Sequence, residues 1–317
     1  MADRKARNAA QPSRKSSPPV NPGPRRKKGL QNRGFVRVVW ADALRRREGA
    51  VEDRGACLSV LDRFRLDGKR ALVTGASRGL GREMALALAD AGADVALVAR
   101  PSPQLHATAD EVRGLGRRAW TFEADLARPE ICAATAMRAL EKVSGFDILV
   151  NNVGGRRVNV VTEDMPLETW RELMDLNLTS VFILSQAIGR AMIDAGRGGR
   201  VINVASINAL VAGRGIAGRH YETAKAAVLQ FTRTLAVDWA PHGITANAIC
   251  PGLFLTGPNR AWAEKSPEMI DAMLKNIPAG AMGSPEDIGP LAVYLASDAA
   301  RYMTGAALVI DGGYTCL

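Results

Sequence analysis

Tyr221 and Lys225 stand four positions apart in Tyr221-Glu222-Thr223-Ala224-Lys225. On a helix that spacing puts a phenol and an ammonium on one face. A free tyrosine titrates at about pH 10 and is a poor base near neutrality. A neighbouring cation favours the phenolate and makes the pair a candidate proton donor and acceptor. By itself the pattern is common on surface helices, so its weight depends on its surroundings. Thr74-Gly75-Ala76-Ser77-Arg78-Gly79-Leu80-Gly81 is a second candidate. Its glycines allow a tight turn in which backbone N–H groups approach a phosphate, at the positive end of the helix that follows. Alone, such a turn fits an ordinary loop equally well. Two basic clusters, Arg156-Arg157 and Arg214 with Arg219 and His220, suit either a bound carboxylate or phosphate or a solvated loop or subunit contact.

The elements that must position these groups begin at Leu66. ALVTG (71–75) is a short apolar run ending in glycine, followed by an amphipathic helix over 80–91 and a second strand, DVALVA (94–99). Further buried strands are predicted at 118–123, 147–151, 200–205, 244–249 and 307–312. Helical periods cover 128–143, 167–195, 221–239 and 285–296. Strands alternating with helices of this length predict an α/β fold: a doubly wound parallel sheet covered on both faces, forming one catalytic domain. Residues 257–283 read as a mobile helical lid, with Trp262 and Met269 as pocket walls.

The glycine spacing of TGASRGLG, T-G-x-x-x-G-x-G, resembles the short-chain dehydrogenase/reductase family. Asn151-Asn152-Val153-Gly154 resembles that family's N-N-A-G, with Val in place of Ala, and Pro251-Gly252-Leu253-Phe254-Leu255-Thr256 its P-G-x-x-x-T. The resemblance runs from about Leu66 to the C-terminus. It implies a Rossmann-type fold and a nicotinamide cofactor held by Gly75, Ser77, Arg78, Gly79, Leu80, Gly81, Arg100, Asp125, Leu126, Asn152, Tyr221, Lys225 and Thr256. Asp125 would lie against the adenine and Thr256 against the carboxamide. It also implies a catalytic tetrad of Asn177, Ser206, Tyr221 and Lys225, interconverting a secondary alcohol and a ketone. Ser206 and Tyr221 are spaced slightly wider than the family's habit, which leaves Asn208 as a second candidate for the serine's role. The second strand ends at Ala99 and Arg100, with no carboxylate to grip a ribose, and Arg78 sits in the loop. Two guanidiniums suit a 2′-phosphate, so NADP(H) is expected over NAD(H).

The wording from NAICPG to VIDGGY is similar to gluconate 5-dehydrogenases and deoxygluconate dehydrogenases, which implies a sugar-acid or polyol substrate. The 3-oxoacyl-carrier-protein reductases are near relatives and supply the alternative. The family also implies a homotetramer or homodimer, built on helices 167–195 and 221–239.

The chain of 317 residues has a formal net charge of +10, which by itself suggests a nucleic-acid partner. Residues 1–66 hold 17 Lys and Arg against 6 Asp and Glu, so the remainder is close to neutral. Residues 1–65 read as a basic, disordered extension apart from a short helix over 41–48; the catalytic domain is placed at 66–317. The extension lacks interleaved aromatics for base stacking, so nucleic-acid binding by a chain with an inactive domain is the disfavoured reading. The stretch from Val60 resembles the usual start of a family member, so residues 1–59 are expected to be an over-extended gene start. Four scattered cysteines without metal-ligand spacing predict no metal site and no disulfide framework, and a cytoplasmic location. No run of about 18 apolar residues is present, and no membrane span is expected.

Overall fold

The structure, a computed structural model, describes residues 59–213 and 217–316. The expected extension through residue 58, its 41–48 helix and Arg214 lie outside the described residues, as do the side chains of Trp262 and Met269. The chain divides into a unit Met1–Cys57 and a compact unit Leu58–Leu317. The compact unit thus starts ahead of the boundary expected at Leu66. The reason is packing: a 3-10 turn at Leu61–Phe64 puts the Phe64 ring 6.0 Å from Tyr294.

Seven parallel strands form one sheet in the order β3-β2-β1-β4-β5-β6-β7. They are β1 Arg70–Thr74, β2 Asp94–Ala99, β3 Ala119–Glu123, β4 Ile148–Asn151, β5 Gly199–Val204, β6 Ile244–Pro251 and β7 Ala307–Ile310. The helices are α1 Gly79–Asp90, α2 Pro103–Gly114, α3 Pro129–Val143, α4 Leu167–Met174, α5 Ser180–Ala195, α6 Arg219–Trp239, α7 Gly257–Lys265, α8 Pro267–Leu274 and α9 Ile288–Ala296. Strand side chains alternate between two cores, as a pleated sheet requires. Ala71 and Val73 of β1 join Met84, Leu88, Ile288 and Leu295 under α1 and α9. Leu72 joins Cys132, Ala136, Leu184 and Ile188 under α3 and α5. Both faces are therefore covered, which is why the central strands read as unbroken apolar runs.

The predicted helix over 167–195 has a π turn at Asp175–Thr179 between α4 and α5. By length and mean hydropathy (1.3) this stretch passes as a membrane span. It is instead a packed element, with Leu176, Val181, Leu184, Ile188 and Met192 all buried in the domain. Strand order reverses between β1 and β4, and the loops leaving β1 to β6 gather at the carboxyl edge there. Ligand crevices of open α/β sheets form at that point.

Candidate active site

A cavity of about 710 Å³ opens at this edge. Gly75, Ser77, Arg78, Gly79, Leu80, Gly81, Arg100, Asp125, Leu126, Asn152, Ser206, Tyr221, Lys225 and Thr256 all line it. Asn177 lies behind the wall, fully buried.

The loop after β1 is shaped by its glycines. Gly75 and Gly79 have φ of +68° and +56°, where side chains with a Cβ are strained. A Cβ on Gly81 would strike the Gly75 carbonyl oxygen and the Asn152 amide. Arg78 caps α1 in extended conformation with no side-chain hydrogen bond. The first-turn N–H groups are thus left without a side-chain cap, as an anion site at a helix N-terminus requires. Asn152 braces this cradle: its Nδ2 donates to the Thr74 carbonyl at 2.9 Å. The Thr74 hydroxyl accepts from the N–H groups of Asn152 (2.9 Å) and Val153 (3.1 Å) and donates to the Val150 carbonyl at 3.3 Å. Thr74 is the linchpin of that turn, a role that the glycine spacing does not reveal. At the far end of the loop Arg78 and Arg100 share the wall with Ser102 and Gln104, and Asp125 is the acidic lining residue among those described. A dinucleotide carrying an anionic group beside its adenosine fits these residues.

Ser206 does not end β5, which stops at Val204; it caps a 3-10 turn, its Oγ accepting from the Asn208 N–H at 3.1 Å. That cap sets the hydroxyl at the cavity wall and gives Asn208 a backbone role beneath it. Burial pushes the Tyr221 phenol above its ordinary range, while the Ser206 hydroxyl and the Arg156 guanidinium pull it back. Lys225 is 2% exposed, and its Nζ donates to the Val204 carbonyl at 2.7 Å. Burial lowers its pKa to about 8. Asn177 sits in the π turn, a geometry that recurs where a helix serves a site. Its Oδ1 accepts from the Gly155 N–H at 2.8 Å, and its Nδ2 donates to the carbonyls of Gly155 (3.1 Å) and Leu173 (2.9 Å). A Cβ on Gly154 would lie 2.8 Å from Asn177 Oδ1 and 2.9 Å from Lys225 Nζ, so Asn177 and Lys225 meet across this glycine.

The buried ammonium has a measurable consequence. Lys225 binds its proton less tightly in the folded chain than in the unfolded one, where the ordinary value is 10.5. The cost is complete below pH 8 and fades as pH rises towards 10.5. Lys225→Met should therefore raise the melting temperature of the cofactor-free protein at pH 7. The gross gain is roughly 3 kcal/mol, offset by ~1 kcal/mol for the orphaned Val204 carbonyl. Melts across pH 7 to 10 should show that advantage shrinking; an advantage that grows with pH contradicts the assignment.

The basic clusters are disposed differently from an open anion trap. Arg156 Nη1 donates to the carbonyls of Ala217 (2.7 Å) and Gly218 (3.0 Å), and its Nη2 lies 3.5 Å from Glu222. Arg219 Nη1 is 2.7 Å from the same carboxylate. His220 Nε2 donates to the Arg156 carbonyl at 2.8 Å and burial lowers its pKa, so the ring is neutral at pH 7. Arg156, Arg219 and His220 are thus engaged with neighbouring backbone and with Glu222. Arg157 instead lines the cavity, with a φ of +56° that is uncommon for a side chain with a Cβ. Glu222 was not singled out from the sequence, although an acid beside Tyr221 and three residues after Arg219 was the available signal. The lid is formed by α7 and α8, pinned at its base by hydrogen bonds from Leu255 N–H to Gly283 and from Gly283 N–H to Leu253.

A family model described as "Enoyl-(Acyl carrier protein) reductase" matches residues 75–315. The 2-dehydro-3-deoxy-D-gluconate 5-dehydrogenase of Dickeya dadantii is 39% identical over 259 residues, 80% of this chain and 98% of that protein. The crystal structure of a short-chain type dehydrogenase/reductase from Mycobacterium marinum is 42% identical with a TM-score of 0.76, covering 82% of this chain and 100% of that one. That of a gluconate 5-dehydrogenase from Burkholderia cenocepacia in complex with NADP and tartrate is 36% identical, TM-score 0.76, over 82% and 100%.

Proposed function

The chain belongs to the short-chain dehydrogenase/reductase family, and on that premise we propose that it is an NADP(H)-preferring oxidoreductase interconverting a secondary alcohol and a ketone on a sugar acid or polyol. The observation that carries this reading is one cavity lined both by the glycine cradle and by Ser206, Tyr221 and Lys225. The bound nicotinamide supplies or accepts the hydride. In the reductive direction Tyr221 donates its proton to the carbonyl oxygen, and the Ser206 hydroxyl donates a hydrogen bond to the same atom. Lys225, anchored on the Val204 carbonyl, holds the nicotinamide ribose hydroxyls and favours the phenolate in the reverse direction. Asn177 holds the water that links Lys225 to solvent. Arg78 and Arg100 take the 2′-phosphate, which a carboxylate at the end of β2 would repel.

Substrate class follows from Arg157, which lines the cavity and suits the carboxylate of a sugar acid. The names of the Dickeya and Burkholderia relatives support the same class. A second reading, reduction of an acyl chain on a carrier protein, is favoured by the description of the matching family model. Turnover of 5-ketogluconate and of an acetoacetyl thioester, each with NADPH and with NADH, separates the two. The expected result is turnover of the keto acid, faster with NADPH, and a KM at least about tenfold higher after Arg157→Gln, the loss of one charge-assisted contact. Preferential turnover of the thioester would overturn the substrate class, and equal affinity for NADH the cofactor preference.

A homotetramer or homodimer is proposed on α5 and α6, where Phe182 and Val237 stay 45% and 76% exposed in the single chain. Cys132, Cys250 and Cys316 are free thiols, in keeping with work in a reducing cytoplasm.

A further inference from the structure

The Arg156 guanidinium lies over the Tyr221 ring, 5.1 Å from its centroid. Nothing in the proton transfer proposed above uses Arg156 or the carboxylate that grips it. We propose that Glu222 and Arg156 are positioning residues for Tyr221: the buried Glu222 carboxylate gathers Arg156 and Arg219 and so holds a guanidinium against the face of the reacting phenol. The proposal rests on Tyr221 being the acid and base of the reaction.

The geometry supports a built device. Glu222 is 8% exposed, and its carboxylate accepts from Arg219 Nη1 at 2.9 and 2.7 Å, from Arg156 Nη2 at 3.5 Å and from the Gly213 N–H at 3.4 Å. Arg219 Nη1 also donates to the Gly213 carbonyl at 3.0 Å. One carboxylate thereby ties three pieces of chain: the segment after β4, the loop after β5 and the first turn of α6. Burying a carboxylate is costly unless it is paired and fully hydrogen-bonded, and this one is. Because Glu222 directly follows Tyr221 on the same helix, the clamp and the phenol move as one body.

Held there, a cation does two things. It walls one face of the ring, restricting the orientation of the hydroxyl. It also interacts more strongly with an electron-rich phenolate ring than with a phenol, and so favours ionisation. The other groups facing Tyr221 can be named. Lys225 Nζ is 5.9 Å from the ring centroid on the same helix. Ser206 faces it from the loop after β5. From β6, Cys250 borders Lys225 as a thiol that burial pushes up to about 11. The neutral Asn177 closes the side of the π turn, His220 is neutral, and Arg157 lines the cavity beside Arg156. Among these groups Glu222 is the one negative charge.

That makes the sign of its removal diagnostic. Acting only through space, Glu222→Gln removes a negative charge and should make Tyr221 ionise at lower pH. Acting by holding Arg156, the same change frees the guanidinium and should make Tyr221 ionise at higher pH. The experiment is a spectrophotometric phenolate titration of the full chain, each protein measured against its Tyr221→Phe counterpart to subtract Tyr294, Tyr302 and Tyr314. The expected result is an upward move of about half a unit or more in both Arg156→Gln and Glu222→Gln, no further upward move in the double variant, and partial return with Arg156→Lys. A downward or absent move in Glu222→Gln overturns the proposal. So does additivity in the double variant, or a wild-type Tyr221 that fails to ionise before alkaline unfolding. Thermal melts identify a variant that has lost its fold; Arg156→Lys, which keeps a charge, then carries the comparison. The titration needs no substrate, so a failure to turn over any sugar acid would sink the proposed function and leave this result readable.

Discussion

Tyr221→Phe should lower kcat by about a thousandfold while the affinity for NADPH changes by less than about threefold. The substitution removes one oxygen and keeps the ring, so the Arg156 guanidinium retains its aromatic surface and the helix its packing. What is lost is the only proton that the site delivers to the carbonyl oxygen in the proposed reaction. Ser206 has only a neutral hydroxyl, whose Oγ accepts from the Asn208 N–H and whose proton serves the hydrogen bond to the substrate oxygen in the proposed reaction. Lys225 cannot reach forward, since its Nζ is anchored on the Val204 carbonyl. Steady-state turnover paired with a fluorescence titration of NADPH separates chemistry from binding. Retained turnover would move the acid and base elsewhere in the cavity. An equal fall in turnover and in cofactor affinity would instead make Tyr221 a structural support.

The second large effect is expected at Gly81. An added Cβ there meets the Gly75 carbonyl carbon at 2.8 Å and lies still closer to the Gly75 oxygen and the Asn152 amide. The Gly75 atoms are backbone and the Asn152 amide is held on the Thr74 carbonyl, so neither can step aside as a flexible side chain would. Gly81→Ala must therefore push α1 away from the turn and open the cradle. Cofactor affinity should fall about a hundredfold, close to 3 kcal/mol. Gly114→Ala is the control, because a Cβ there meets nothing within 4 Å. It should leave cofactor binding unchanged and stabilise slightly by favouring helix. If Gly81→Ala binds NADPH as tightly as the natural chain, the loop does not carry the phosphates.

Much of this fold can be read along the chain because its information is local. Apolar runs bounded by Gly and Asp, alternating with helical periods, lead to a parallel sheet, and strands predicted at 94–99 and 118–123 appear at Asp94–Ala99 and Ala119–Glu123. The π turn at Asp175–Thr179 is not legible in that way. Its residues continue the helical pattern, and the departure in backbone pairing is decided by packing, with Leu176 and Asn177 buried and Asn177 bonded to Gly155. The packing of Phe64 is illegible for a similar reason, since its partner Tyr294 lies far along the chain.

The candidate site divides along the same line. Residue type and spacing nominate Tyr221 with Lys225 and the glycine turn, because i, i+4 placement and positive φ are properties of short segments, and the order of motifs around them gives those candidates their weight. Which charges remain available in the cavity is a different kind of fact. Arg156, Arg157 and Arg219 are equivalent in a list of basic residues, yet Arg156 and Arg219 close on Glu222 while Arg157 lines the cavity. That outcome depends on loops from β4 and β5 meeting the first turn of α6, and it could be decided only once the sheet order had brought those segments together. The sequence determined the chemistry on offer; the tertiary structure decided which charges neutralise one another and which face the ligand, because electrostatic interaction depends on distance in space.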